Sequence, residues 1–248
     1  MQIQYDCYSG IGGRPDNEDT VAVCVRGDRL TAVIADGLGG HGDGKAASEC
    51  ICEQLIKCGE RSAFPNAEEI EEYFWRANEE LLKRQVNDFH MKSTAVCLCL
   101  QGNRAVWAHV GDSRLYYLYD GRIRDYTLDH SLSQLAVFMG EIRREDIPHD
   151  RNRSQLLRVM GSDDMAPAVH PEIRLGRGRT GFLLCSDGFW EYLNDWEIED
   201  CFLKGETAND CLKLMKEIRD RKAPDNSDNH SAIVILINID DTVKGNEE

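Results

Sequence analysis

Short apolar runs with a period of two recur along the chain and predict β-strands at 20–26 (TVAVCVR), 30–36 (LTAVIAD), 93–101 (STAVCLCLQ), 104–112 (RAVWAHVGD), 114–121 (RLYYLYDG), 181–187 (GFLLCSD) and 231–239 (SAIVILINI). Gly-bearing turns at Arg26–Arg29 and Gln101–Arg104 join neighbouring runs as antiparallel hairpins. Helical spacing replaces this pattern in three places. Ala47, Ile51, Leu55 and Cys58 form one stripe, and Ile70, Phe74, Ala77 and Leu81 a second, which opens with Asn66 and Glu69 in capping-box spacing. Ala208, Cys211, Leu212, Met215 and Ile218 form the third, just before the last strand. Helices interrupt a β series without alternating one for one with it, so the expected class is α+β, with helices packed on sheets.

A length of 248 residues with 42% hydrophobic residues supports a sizeable core and excludes a disordered tail protein. No repeat, low-complexity stretch or Pro/Ser-rich linker divides the chain, so one domain over 1–240 with a short tail at 241–248 is expected. The net charge of −15 disfavours phosphate backbones and anionic lipid surfaces, so neither nucleic acid nor membrane is an expected partner. No window approaches the roughly 20 apolar residues of a spanning helix. The start, MQIQYDCYSG, does not read as a signal peptide, and a cytoplasmic location is expected. Cys50 and Cys52, like Cys97 and Cys99, have CxC spacing, which does not match a zinc site, and the period of two in STAVCLCLQ puts Cys97 and Cys99 on one strand face as small buried thiols.

Three acids stand at strand mouths: Asp36 ends AVIA, Asp187 ends FLLCS, and Asp228 lies just before AIVILI. Carboxylates gathered at one sheet edge repel each other unless a proton or a cation neutralises them. An oxygen-only donor set favours magnesium or manganese over zinc or copper. The competing reading makes each Asp a turn former or cap, a frequent use of Asp beside Gly.

The ordered set Arg14-x-x-Asn17-Glu18-Asp19, Asp36-Gly37-x-Gly39-Gly40-His41, Gly111-Asp112-Ser113-Arg114, Ser186-Asp187-Gly188 and Asp228-Asn229 resembles the bacterial metal-dependent serine/threonine phosphatases of the protein phosphatase 2C family. The resemblance spans residues 14 to 229. It implies two antiparallel sheets packed as a sandwich with helices on both outer faces, and a site for two Mn2+ or Mg2+ ions at one end. It also implies that Asp36 bridges the ions, with Glu18 and the Gly37 carbonyl on one and Asp187 and Asp228 on the other. Asp19 and Asn229 would stand behind these ligands. A weaker third-metal site would fall on Asp112 and Asp187, with Glu191 where some relatives carry Asp. Arg14 would grip the substrate phosphate, since a guanidinium pairs bidentately with phosphoryl oxygens.

The general acid stays unassigned. Eukaryotic relatives carry His directly after the Asp-Gly pair, where this chain has Leu38; His41 either acts through water or hydrogen-bonds the Gly-rich turn. For Arg114 an internal ion pair is favoured over a substrate role. Residues 127–171 resemble the family's flap, where Arg143, Arg144, Arg151 and Arg153 either meet acidic or phosphorylated protein surfaces or form a solvated face. The implied function is metal-dependent hydrolysis of phosphoserine and phosphothreonine in proteins by a monomer, with phosphoproteins, a Hanks-type kinase among them, as partners. The rivals are a phosphoprotein-binding pseudophosphatase, a hydrolase of small phosphate esters and a structural β-sandwich adaptor.

Overall fold

In the computed structural model, which describes residues 2–39, 43–60, 64–85 and 90–239, the chain begins with three strands, β1 (Gln2–Gly10), β2 (Asp19–Arg26) and β3 (Arg29–Asp36). Helices α1 (Gly44–Ile56) and α2 (Ala67–Arg84) follow, then β4 (Ala95–Gln101), β5 (Arg104–Val110), β6 (Arg114–Tyr119) and β7 (Arg122–Tyr126). After α3 (Leu132–Phe138) and a 3-10 turn at Arg144–His149 come the short strands β8 (Ala168–Val169) and β9 (Ile173–Arg174), and then β10 (Gly178–Cys185). The chain closes with α4 (Asp187–Trp190), α5 (Asp195–Lys204), α6 (Ala208–Lys222) and β11 (His230–Ile239). His41 and the tail at 241–248 lie outside the described residues.

The strands form two antiparallel sheets, ordered β1-β11-β10-β6-β7 and β2-β3-β4-β5-β8, with β9 also pairing β5. Period-two alternation sorts each central strand into two apolar faces. Leu30, Ala32, Ile34, Val96 and Leu98 meet Phe182, Leu184, Ile233 and Ile235 between the sheets. The opposite faces turn outward: Val33, Ala35, Cys97 and Cys99 pack under the α1 and α2 stripes, with Ile51, Leu55, Ile70 and Phe74. Leu183, Cys185 and Val234 pack under Ile198, Phe202 and Met215 of α5 and α6. The result is the expected α+β sandwich with a helical layer on each outer face.

The capping box at Asn66 and Glu69 forms, with hydrogen bonds of 2.9 Å in both directions. Cys97 and Cys99 are buried free thiols, as their spacing predicts. Several elements carry too weak a period to be foreseen. β1 is an edge strand whose side chains alternate between exposed and half-buried, so QIQYDCYSG shows no apolar repeat. α5 reveals itself in its Asn194–Glu197 capping box and the buried Ile198, Cys201 and Phe202. Among the described residues no helix is long and apolar enough to cross a membrane.

Candidate metal centre

One end of the sandwich gathers the strand-mouth acids. Asp19 opens β2 and Asp36 closes β3, and the register pairs them directly across the two strands. Asp187 opens α4 immediately beyond β10, and Asp228 stands two residues before β11. These strands are adjacent in their sheets, so packing the sheets face to face brings their mouths together. Glu18, Asp36, Gly37, Asp112, Asp187 and Asp228 line a single cavity of about 600 Å³, with Arg14 at its wall and Asn229 beside it.

The backbone around these acids is fastened from behind. The Glu18 N–H donates to Asn229 Oδ1 at 2.8 Å, and Asn229 Nδ2 donates to the carbonyls of Ile11 (2.8 Å) and Asp16 (3.0 Å). Asn229 thus ties the 11–18 loop to the start of β11. Thr94 Oγ1 accepts the Asp36 N–H at 3.1 Å, while the Thr94 N–H donates to the Asp36 carbonyl at 2.8 Å. Buried Arg219 of α6 donates to the Gly188 carbonyl (3.1 Å) and to Ser227 Oγ (2.7 Å), clamping the segments that carry Asp187 and Asp228. A Cβ at Gly37 would overlap the Gly44 backbone, so that position demands glycine for close approach, whereas one at Gly39 would meet the Glu18 carboxylate and displace it.

The acids are electrostatically frustrated. Burial, and then the neighbouring charges of Asp19, Asp187, Asp112 and Asp228, hold the Asp36 carboxyl well above the ordinary carboxylate range. Burial does the same to Asp187, reinforced by Asp112, Glu191 and Asp228. Asp112 is pushed up to about 7, by burial and then by Asp129. Asp19 is pushed up to about 6 by burial, although Ser186 Oγ donates to its Oδ2 at 2.7 Å. Its Oδ1 is buried without a donor among the described residues.

Crowded, dehydrated carboxylates and an orphaned acceptor fit hard divalent cations with attendant water. Among the described residues, no three His, Cys, Asp or Glu side chains form a ready-made single-ion site. The acids ring the cavity instead. Arg14 pairs with Asp228 at 2.6 Å, on the cavity wall. Glu191 is held by Arg153 of the 127–171 segment at 2.6 Å.

The sequence model described as Protein phosphatase 2C matches residues 11–221. The chain belongs to this family. The serine/threonine phosphatase stp of Listeria monocytogenes serotype 4b (strain F2365) is 31% identical over 243 residues, covering 94% of each chain. The serine/threonine protein phosphatase PstP of Mycobacterium tuberculosis (strain CDC 1551 / Oshkosh) is 30% identical over 217 residues, or 86% of this chain and 41% of PstP, so the chain spans well under half of that relative. The fold superposes with a TM-score of 0.81 on the crystal structure of the PstP catalytic domain in complex with 2 manganese ions, at 25% identity, covering 95% of this chain and 99% of that one.

Within this protein phosphatase 2C fold, Arg114 forms the internal ion pair favoured from its sequence. Its guanidinium donates to both Asp129 oxygens, at 2.7 and 2.6 Å, beneath the Trp190 ring at 3.3 Å. Of the four arginines singled out in 127–171, Arg143 pairs with Asp146, Arg144 with Asp195 and Arg153 with Glu191. Sequence reasoning missed Lys92, Leu156 and Val159, which line the same cavity. Lys92 follows the rule that exposed the aspartates, standing just before a buried strand; the two apolar residues come from a segment with no regular period.

Proposed function

We propose that this chain hydrolyses phosphoserine and phosphothreonine in proteins, using two Mn2+ or Mg2+ ions. One observation carries the reading: residues 18, 36, 37, 187 and 228, dispersed through the sequence, line one cavity together with Arg14. Asp36, Glu18, the Gly37 carbonyl, Asp187 and Asp228 would hold the ions. When bound, the ions supply a water acidic enough to lose its proton near neutral pH and offset charge on the phosphoryl group.

The protein's own groups do the rest. Asp19 and Asn229 orient the acids from behind, Arg14 leaves Asp228 to grip phosphoryl oxygens, and Lys92 adds a second cation on the wall formed with Leu38 and Val159. Asp112 and Glu191 are the donors for a third ion; Glu191 already holds Arg153 through Oε1. His41 is the candidate proton donor. Residues 1–240 act as one catalytic unit with 127–171 as its flap. Ten free cysteines suit a reducing cytoplasm, where a Hanks-type kinase would be the opposing enzyme.

The test is hydrolysis of a phosphothreonine peptide by metal-stripped protein with and without Mn2+, beside Asp187→Asn. Manganese-dependent turnover lost in the variant supports the reading. Absence of turnover in both proteins rejects it in favour of a phosphoprotein-binding pseudophosphatase.

A further inference from the structure

A second cavity of about 520 Å³ opens between β5 and β8 of one sheet and helix α3. Its volume lies within the ~300–1,000 Å³ of small-molecule sites. Trp107, His109, His130, Leu135, Leu157 and Arg158 are among the residues that shape it. Two stacked pairs stiffen its wall: Trp107 on His170, with ring centroids 3.9 Å apart, and His109 on His130, 4.6 Å apart. Flat aromatic walls of this kind favour a planar apolar body.

The polar groups set the sign of the ligand. Both carboxylates on the wall are already paired inside the protein, Asp125 with His170 Nε2 at 2.7 Å and Asp129 with Arg114. Arg158 has no carboxylate partner among the described residues; its hydrogen bond to the Ala166 carbonyl is long, at 3.5 Å. The Gly111 N–H donates to His130 Nδ1 at 3.2 Å, which leaves the imidazole proton on Nε2, a donor with no acceptor among the described residues. A guanidinium and an N–H donor beside aromatic walls complement an anionic head on a flat apolar body.

We propose that this cavity binds a small organic anion, a planar apolar carboxylate or its sulfonate or phosphate equivalent, and that its occupancy is felt at the metal centre. The two cavities share a partition. Ser154, Leu156 and Val159 line the metal cavity, whereas Leu157 and Arg158 line this one. The Leu157 N–H donates to the His130 carbonyl at 2.7 Å, so the partition is fastened to the wall of the second cavity. A ligand against Leu157 and Arg158 therefore presses on the strip of chain past which a substrate reaches the metals.

Binding is independent of the phosphatase reading; the effect on turnover rests on it. Naphthoate is the probe, titrated by ligand-observed NMR into Mn2+-loaded protein, with uncharged naphthamide as control. Saturable submillimolar binding is expected, unchanged in Asp187→Asn, weakened about tenfold in Arg158→Gln and for naphthamide, and abolished by Leu135→Trp, which fills the cavity from exposed α3. Equal affinity in Arg158→Gln, loss in Asp187→Asn, or no saturable binding overturns the site. Saturating naphthoate should then move KM for the phosphothreonine peptide about fivefold or more in wild type and not in Leu135→Trp. Unchanged KM and kcat with the cavity filled overturns the coupling.

Discussion

Asp19 and Asp36 face each other as direct cross-strand partners of β2 and β3, two acids in a position where like charges destabilise a sheet. Their ionisation is therefore linked to folding. Asp19, at about 6, and Asp112, at about 7, are both raised above the ordinary Asp value near 3.9, so the folded state holds more protons than the unfolded chain between pH ~4 and ~7. Metal-free protein should lose a few kcal/mol over that window as pH rises. Urea unfolding at several pH values in EDTA measures it, and Mn2+ should flatten or invert the slope by stabilising the ionised acids. Stability that climbs from pH ~5 to ~7 without metal would contradict this account.

Arg14 bonds to Asp228 at the surface, with side chains 55% and 42% exposed, so the pair should matter little to folding. In the proposed function its guanidinium grips the substrate phosphate. Arg14→Ala should lower kcat/KM by about a hundredfold on both a phosphopeptide and an aryl phosphate while leaving the urea midpoint nearly unchanged. Arg14→Lys should restore only part of the loss, because an ammonium cannot grip two oxygens in one plane. A variant with wild-type kcat/KM would remove Arg14 from the site.

Arg114 and Asp129 form the opposite kind of pair, almost wholly buried under Trp190. Trp190 Nε1 also donates to the Asp112 carbonyl at 2.9 Å, so this unit braces the GDSR loop from inside. Removing one partner strands a buried charge, and Arg114→Ala should cost about 3–5 kcal/mol. Arg114→Met combined with Asp129→Leu should cost clearly less, since neither charge remains. Equal losses in the single and double variants, read by urea unfolding, would mean that packing rather than charge dominates there.

What the sequence disclosed follows from what each residue does. Asp36, Asp187 and Asp228 were visible because each stands at the mouth of a strongly apolar strand, and burying such strands forces their mouths to one edge. Glu18 and Asn229 have no such contrast with their neighbours; the motif order alone marked them, and only the structure shows Asn229 bonding to the Glu18 N–H. β1 hid because an edge strand half-exposed along its length needs no apolar period. Leu156, Val159 and Arg219 reach the site through tertiary packing, with no local pattern to announce them. Lys92 is a charge at the mouth of β4 and follows the same pattern, but a lone cation there does not signal a metal site as clustered acids do.

Lys92 offers the sharpest test of the cavity's charge balance. It is a half-buried cation among six lining carboxylates, counting Asp16, and it has no ion-pair partner among the described residues. A cation so placed attracts the phosphate dianion and repels divalent ions, so its removal should push two observables in opposite directions. In Lys92→Met, KM for a phosphothreonine peptide should rise about tenfold with kcat within about twofold, whereas the Mn2+ concentration giving half-maximal activity should fall several-fold. Raising the salt concentration should shrink both effects together. If KM rises while the Mn2+ requirement is unchanged or also rises, Lys92 acts by packing against Leu38 and Val159, and its charge does not reach the centre.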